Sequence, residues 1–166
     1  MNQQFVLAIL VDNHFGVLTR VTSLFSRRCY NIDSLTVGET ESPDISRITV
    51  AVRGDEYVKE QIVKQLSKLH DVRCIEIMNP DRTVFRELLL IKVQTTPETK
   101  QDVMDAVNVF RAKIIDYTPS SVCVEITGET SKIGAFIELM SGYGIIEMCR
   151  TGVVALERGS QALINK

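Results

Sequence analysis

The chain of 166 residues has no tryptophan and only two histidines, His14 and His70. Imidazole acid–base or metal chemistry therefore has few places to sit. The four cysteines are Cys29, Cys74, Cys123 and Cys149. None lies in a C-x-x-C pair, and neither histidine stands at ligand spacing from them, which argues against a metal site. They read as buried or half-buried free thiols of a reducing compartment. A charge excess is also missing. The formal net charge of −2 gives no field to recruit nucleic acid or an acidic membrane surface. The apolar run Phe5 to Val11 is far too short to span a bilayer, and Met1-Asn2-Gln3-Gln4 lacks the basic start of a secretory signal. The expectation is a cytoplasmic protein.

Catalytic signatures are absent too. There is no G-x-S-x-G, no H-E-x-x-H and no Walker loop. Gly142-Tyr143-Gly144 imitates the start of a dinucleotide fingerprint, but Glu147 takes the third glycine position, and a helix stop explains the glycines. Asp12, Asp33, Asp55 and Asp116 sit near strand ends without a paired carboxylate on a rigid face, so they read as solvated loop acids. No catalytic residue and no metal ligand is assigned.

What is present is an ordered, patterned chain. Apolar residues make up 45% and charged residues 24%, as in an ordinary globular protein. Phe5 to Val11 is apolar at every position, so it reads as a strand buried on both faces. Asp12-Asn13-His14-Phe15-Gly16 breaks it as a turn. Val17, Leu18, Val21, Leu24 and Phe25 then recur at helical spacing. Arg20, Arg27 and Arg28 share the other face, either as a solvated surface or as a contact for an acidic protein. Two strands follow, Asn31 to Val37 and Ile48 to Val52, joined by the turn-rich Glu39 to Asp44. Gly54-Asp55 opens a second helix with an apolar stripe of Val58, Ile62, Leu66 and Leu69. Val72 to Met78 is a fourth strand.

Asn79-Pro80-Asp81-Arg82 reads as a boundary, and the same order repeats beyond it. Phe85 to Val93 is a strand. Thr96 caps and Pro97 opens a helix with the stripe Val103, Met104, Val107 and Phe110. Strands at Ile114–Ile115 and Val122 to Ile126 follow, then a helix over Ile133 to Met140 and a last strand from Ile145 to Leu156. The fold class is therefore α+β: two tandem ferredoxin-like βαββαβ units, divided as 1-79 and 80-166. Helices on one face of the first sheet leave its all-apolar first strand in need of cover on the other face. The second unit or a partner chain must supply it, so an oligomer is expected.

The turn Asn13 to Gly16 differs in kind from the other loops. Backbone N–H groups at a helix start have no internal partners and carry partial positive charge, which suits a carboxylate. Gly16 permits close approach. Asn13 offers a donor and an acceptor, and Asn31 begins what reads as a neighbouring strand. Val17, Leu18 and Ile32 are available as an apolar wall for an amino acid. A plain turn with Asn13 as helix cap accounts for the same residues.

These residues carry a family resemblance. Asn13-x-x-Gly16-Val17-Leu18-x-Arg20-Val21, then Leu24-Phe25-Ser26-x-Arg28-x-Tyr30-Asn31-Ile32-x-Ser34-Leu35-Thr36-Val37, resembles the ACT domain of the small regulatory subunit of acetolactate synthase (acetohydroxyacid synthase). Pro43-x-x-Ser46-Arg47 and Gly54-Asp55 continue the match. So do Phe110 to Asp116 and Arg150 to Leu156 in the second unit. The resemblance implies an N-terminal ACT domain, no catalysis by this chain and no cofactor on it. Thiamine diphosphate, magnesium and FAD belong to a separate catalytic (large) subunit, which this one activates and makes sensitive to valine, leucine or isoleucine in branched-chain amino acid biosynthesis. It further implies a homodimer through paired ACT domains, with the effector at Asn13, Gly16, Val17, Leu18, Asn31 and Ile32. The second unit, in the same terms, helps contact the catalytic subunit. The alternative is a free-standing amino-acid-sensing ACT protein of another pathway. Cys29 stands where the family commonly has glycine, at an expected left-handed helix stop that costs a cysteine on the order of 1 kcal/mol. In the second unit Thr96-Pro97-Glu98 replaces the glycine turn, and Glu98 would repel a carboxylate. Effector binding is therefore expected in the first unit only.

Overall fold

The structure is a computed structural model in which residues 3–165 are described. The first half runs β1 (Gln3–Asp12), α1 (Val17–Arg27), β2 (Ile32–Glu39), β3 (Ile45–Gly54), α2 (Glu56–Leu66) and β4 (Val72–Ile77). The second runs β5 (Thr83–Gln94), α3 (Lys100–Val109), β6 (Lys113–Tyr117), β7 (Ser121–Gly128), α4 (Thr130–Ser141) and β8 (Ile145–Arg150), and β9 (Val154–Glu157) closes the order. The first sheet has strand order β2-β3-β1-β4 and the second β6-β7-β5-β8, with β9 also pairing with β5. All paired strands within the two four-strand sets are antiparallel. This is the ferredoxin-like arrangement twice over.

Each unit builds its own core. In the first, Val17, Val21 and Phe25 recur every four residues along α1 and are buried. They close on Leu7, Ile9 and Val11 of β1 and on Ile48, Val50 and Val52 of β3, with Ile62 and Leu66 from α2. In the second, Val103, Ala106 and Val107 of α3 and Ile133, Phe136 and Met140 of α4 cover Leu89, Ile91, Val93, Val122, Val124 and Ile126. Phe136 meets Phe110 edge to face with ring centroids 5.1 Å apart, the arrangement the ring quadrupoles favour. Glu87 is buried under a two-pronged contact from Arg150 (Nε 3.0 Å, Nη2 2.7 Å to Glu87 Oε2).

Three local readings change. The last strand is two strands, β8 and β9, broken at Thr151–Val153 where Gly152 takes φ 83°. Compactness then groups residues up to Val84 with those from Val153 onward, and leaves 85–152 as the second unit. The sequence had placed 153–166 in the second domain. Among the cysteines, all free, Cys29 and Cys149 are exposed rather than buried or half-buried.

The first sheet's uncovered face explains the regrouping. Leu7 to Val11 are all buried, as an apolar run without alternation requires. Cover on the face away from α1 and α2 comes in part from the chain's own last residues. Thr36 Oγ1 on β2 donates to Val153 O (3.0 Å), Arg47 on β3 to Ala155 O (2.7 Å), and Cys74 Sγ on β4 to Leu163 O (3.3 Å). The segment thus crosses the sheet from one edge strand to the other.

Candidate functional site

The turn after β1 is shaped by glycine. Gly16 takes the N-cap position of α1 at φ 86°, ψ −11°, and no side chain caps the helix. Asn13, expected as the alternative cap, turns away. Its Nδ2 donates to Pro43 O (2.8 Å) and to Glu39 Oε1 (3.3 Å), and its backbone N–H to Asp44 O (2.8 Å). The amide therefore ties the turn to the β2–β3 loop. Val17 is buried in the core, whereas Leu18 is 41% exposed. A Cβ placed on Gly16 would sit 3.4 Å from Arg20 Nη1, so the α1 start, already positive through its dipole, has a guanidinium beside it.

That guanidinium is braced. Arg20 Nε donates to Asp71 Oδ2 at 2.7 Å, and His14 Nε2 lies 3.1 Å from Asp71 Oδ1. The bond from Arg20, helped by its charge and by His14, holds the Asp71 carboxyl below its ordinary range. Asp12 pairs with Arg73, and its backbone N–H donates to Asp71 O at 2.9 Å. Asp12, His14 and Asp71 each bring a potential ligand atom within 4.8 Å of the others. Arginine already neutralises both carboxylates, which is a poor donor set for a cation.

The structure separates the sequence-derived set into two groups. Ile32 pairs with Val52, and Val52 with Phe5, so β2 starts level with the beginning of β1. Asn13 follows Asp12, which pairs with Ile45 at the other end. β3 stands between β1 and β2. Asn31 and Ile32 are thus about eight residues, or roughly 25 Å, along the strands from Asn13, and within one chain Asn31 does not reach the turn. At its own end, Asn31 Nδ2 donates to Asp33 Oδ1 (3.1 Å). Asp33 also accepts from Gln4 Nε2 (2.8 Å) and Arg53 Nε (2.7 Å). Burial pushes its carboxyl up, but these donors outweigh it and hold it below the ordinary value. The sequence reading missed this polar cluster, which depends on the register of three strands.

Among the described residues, neither end contains a nucleophile held by a base. The equivalent turn in the second unit is filled by its own hydroxyls. Thr99 N–H donates to Thr96 Oγ1 (3.3 Å), and Thr96 N–H to Thr99 Oγ1 (3.0 Å). The Thr96 hydroxyl and a backbone N–H hold the Glu98 carboxyl below its usual range, so it stays charged there.

Comparison with known proteins agrees across the chain. Residues 7–74 match the family model of the AHAS small subunit-like ACT domain, and residues 86–159 that of the small subunit of acetolactate synthase. The acetolactate synthase small subunit of Mycolicibacterium smegmatis is 45% identical over 157 residues, covering 95% of this chain and 92% of that protein. That of Bacillus subtilis is 45% identical over 158 residues, covering 94% and 91%. The crystal structure of the acetolactate synthase small subunit from Thermotoga maritima superposes with a TM-score of 0.88 at 42% identity, covering 96% of this chain and 99% of that one.

Proposed function

Because the chain belongs to the family of acetolactate synthase small subunits, we propose that it activates a separate catalytic subunit and makes it sensitive to feedback by valine, leucine or isoleucine. Thiamine diphosphate, magnesium and FAD then reside on the catalytic subunit, with no cofactor on this chain. Among the described residues no helix is long and apolar enough to cross a membrane, and the proposed setting is the cytoplasm.

One observation carries the effector site: its two parts lie at opposite ends of the first sheet, and β2 is the edge strand between solvent and β3. Two copies paired antiparallel along β2 are related by a two-fold axis. That axis sets the Asn13–Leu18 turn of one protomer beside Asn31 and Ile32 of its partner. Exposed Phe15, Leu18 and Val37 supply apolar surface for such a pairing. An effector carboxylate then meets the uncapped start of α1, Asn13 and Asn31 meet its polar groups, and Val17, Leu18 and Ile32 its side chain. A bound effector favours one arrangement of the pair and, through it, one state of the catalytic subunit, with a coupling on the order of 1–3 kcal/mol.

The test mixes the chain with its catalytic subunit and follows acetolactate formation with and without each branched-chain amino acid. Activation by the chain and inhibition by at least one effector are expected. Binding without activation would point to a free-standing sensor. Gly16→Asp places bulk and negative charge at the carboxylate position and should abolish the effector response while leaving activation; full inhibition in that variant overturns the site.

A further inference from the structure

The segment from Val154 to Ile164 roofs the open face of the first sheet, and its fit is incomplete. An open groove of about 330 Å³ lies between it and the sheet. Leu10 and Ile45 form the floor, residues 39–41 of the β2–β3 loop one wall, and Leu156 and Leu163 part of the roof. The segment begins as β9, which pairs with β5, and toward the first sheet it is held at separated points. Val153 sits between the Ser34 and Thr36 hydroxyls, Ala155 O on Arg47, Leu163 O on the Cys74 thiol, and Arg158 N–H donates to Arg82 O at 2.7 Å. Leu156 and Ile164 leave 65% and 48% of their surface exposed. Ala155 is buried and β9 is paired, but beyond β9 an exposed stretch on isolated anchors is the mark of a locally weak element.

The loop that walls this groove is the one Asn13 grips. Both hydrogens of the Asn13 amide are engaged, one on Pro43 O and one on Glu39 Oε1. An amide nitrogen has only two to give. An effector that accepts a hydrogen bond from Asn13 must therefore take one from the loop. The loop is otherwise closed on itself through Thr40, whose N–H and hydroxyl both donate to Ile45 O (2.9 and 3.0 Å). A shift at Glu39 or Pro43 is passed to Ile45 and the 39–41 wall, and so to the roof above them.

We propose that the C-terminal segment 154–164 is the output strap of the effector turn: occupancy at Asn13 loosens the 39–45 loop and releases the strap from the sheet. This rests on the reading of Asn13 as an effector residue. The coupling is reciprocal, so weakening the strap must tighten effector binding.

Hydrogen–deuterium exchange on the full chain tests it, with calorimetry against valine, leucine and isoleucine in parallel. Where one of them binds, saturation should speed exchange in 39–45 and 154–164. Binding heat with unchanged exchange at 154–164 overturns the proposal. Arg47→Met and, separately, Cys74→Ala should each speed strap exchange and tighten that effector by roughly fivefold, the lower end of usual couplings. Unchanged affinity in both, with circular dichroism showing folded protein, also overturns it. Where none of the three binds, the effector reading falls, and the strap is judged on Asn13→Ala in the free protein. That variant should speed exchange in both segments; faster exchange in 39–45 alone refutes the coupling.

Discussion

Replacing Cys29 by glycine should stabilise the protein, and the gain can be worked from the end of α1. Cys29 takes φ 56°. Its N–H donates to Ser26 O at 3.1 Å, and the Tyr30 N–H reaches back to Phe25 O at 3.0 Å. This is a Schellman ending with Cys29 at the left-handed position. A residue with a Cβ there bears about 1–2 kcal/mol. Glycine relieves that but gives the unfolded chain more freedom, which returns roughly 0.5–1 kcal/mol. Cys29 is exposed, so little packing is lost. The net gain is about 0.5–1 kcal/mol, which for a chain of this size raises Tm by about 1–4 °C. Urea titration and calorimetry should compare Cys29→Gly with Cys29→Ala, which removes the thiol but keeps the Cβ. Glycine no more stable than alanine would refute the strain argument. Arg111 offers the same test in the second unit: φ is 53°, and Ala112 N–H donates to Val107 O at 2.9 Å.

Arg150→Met leaves the buried Glu87 carboxylate without its partner and should cost about 2–3 kcal/mol in urea, a figure kept low because Arg150 is partly exposed; Glu87→Leu combined with Arg150→Met should recover most of it, and no recovery would mean that packing rather than charge is responsible. Asp71 titrates below the ordinary value of 3.8 because Arg20 bonds its charged form, so its contribution is complete above about pH 3.8 and is lost as pH falls below it. Asp71→Asn should therefore flatten the acid limb of Tm against pH, and an unchanged limb would place the loss elsewhere. Gly16→Ala should destabilise by about 1–2 kcal/mol at φ 86° and Gly16→Asn by less, since asparagine tolerates the left-handed region; equal losses would show that sterics at Arg20, not φ, decide.

The fold was legible because each element announces its period. Val17, Val21 and Phe25 mark one helical stripe, and alternation from Arg47 to Arg53 marks a strand, although Thr49 and Ala51 on its expected wet face are buried. What periodicity could not reveal was pairing. Asn31 is close to Asn13 in the order of elements but roughly 25 Å away in register, because β3 inserts between β1 and β2. The strap escaped for a related reason. Residues 158–164 have no period of their own, and their anchors lie on three strands far back in the chain, at Ser34 and Thr36, Arg47 and Cys74. The need for cover over Leu7 to Val11 was readable; its source was not. Cys29 was readable only through the resemblance, in which a glycine at that position implies a left-handed helix stop; the structure shows φ 56° there.

The two units share a topology but differ at the start of their first helices in backbone conformation, αL at Gly16 against αR at Thr99, and in the charge beside it. In the turn before α3, Thr96 and Thr99 exchange backbone-to-hydroxyl bonds, while the N-cap Thr99 makes no side-chain bond to the helix itself. A charged Glu98 then occupies the positive end of the dipole. At α1 no hydroxyl or carboxylate takes that place. Asn13 is turned to the β2–β3 loop, and the side chain beside Gly16, Arg20, is positive and held by Asp71. An uncapped helix start costs stability: Val17 N–H reaches His14 O at 3.4 Å, and among the described residues no side chain caps the turn. A small carboxylate is the partner that both the dipole and Arg20 favour. Serine or aspartate at position 16 would offer that helix start an acceptor from within the chain. The αL geometry of Gly16, awkward for either residue, keeps that internal solution closed.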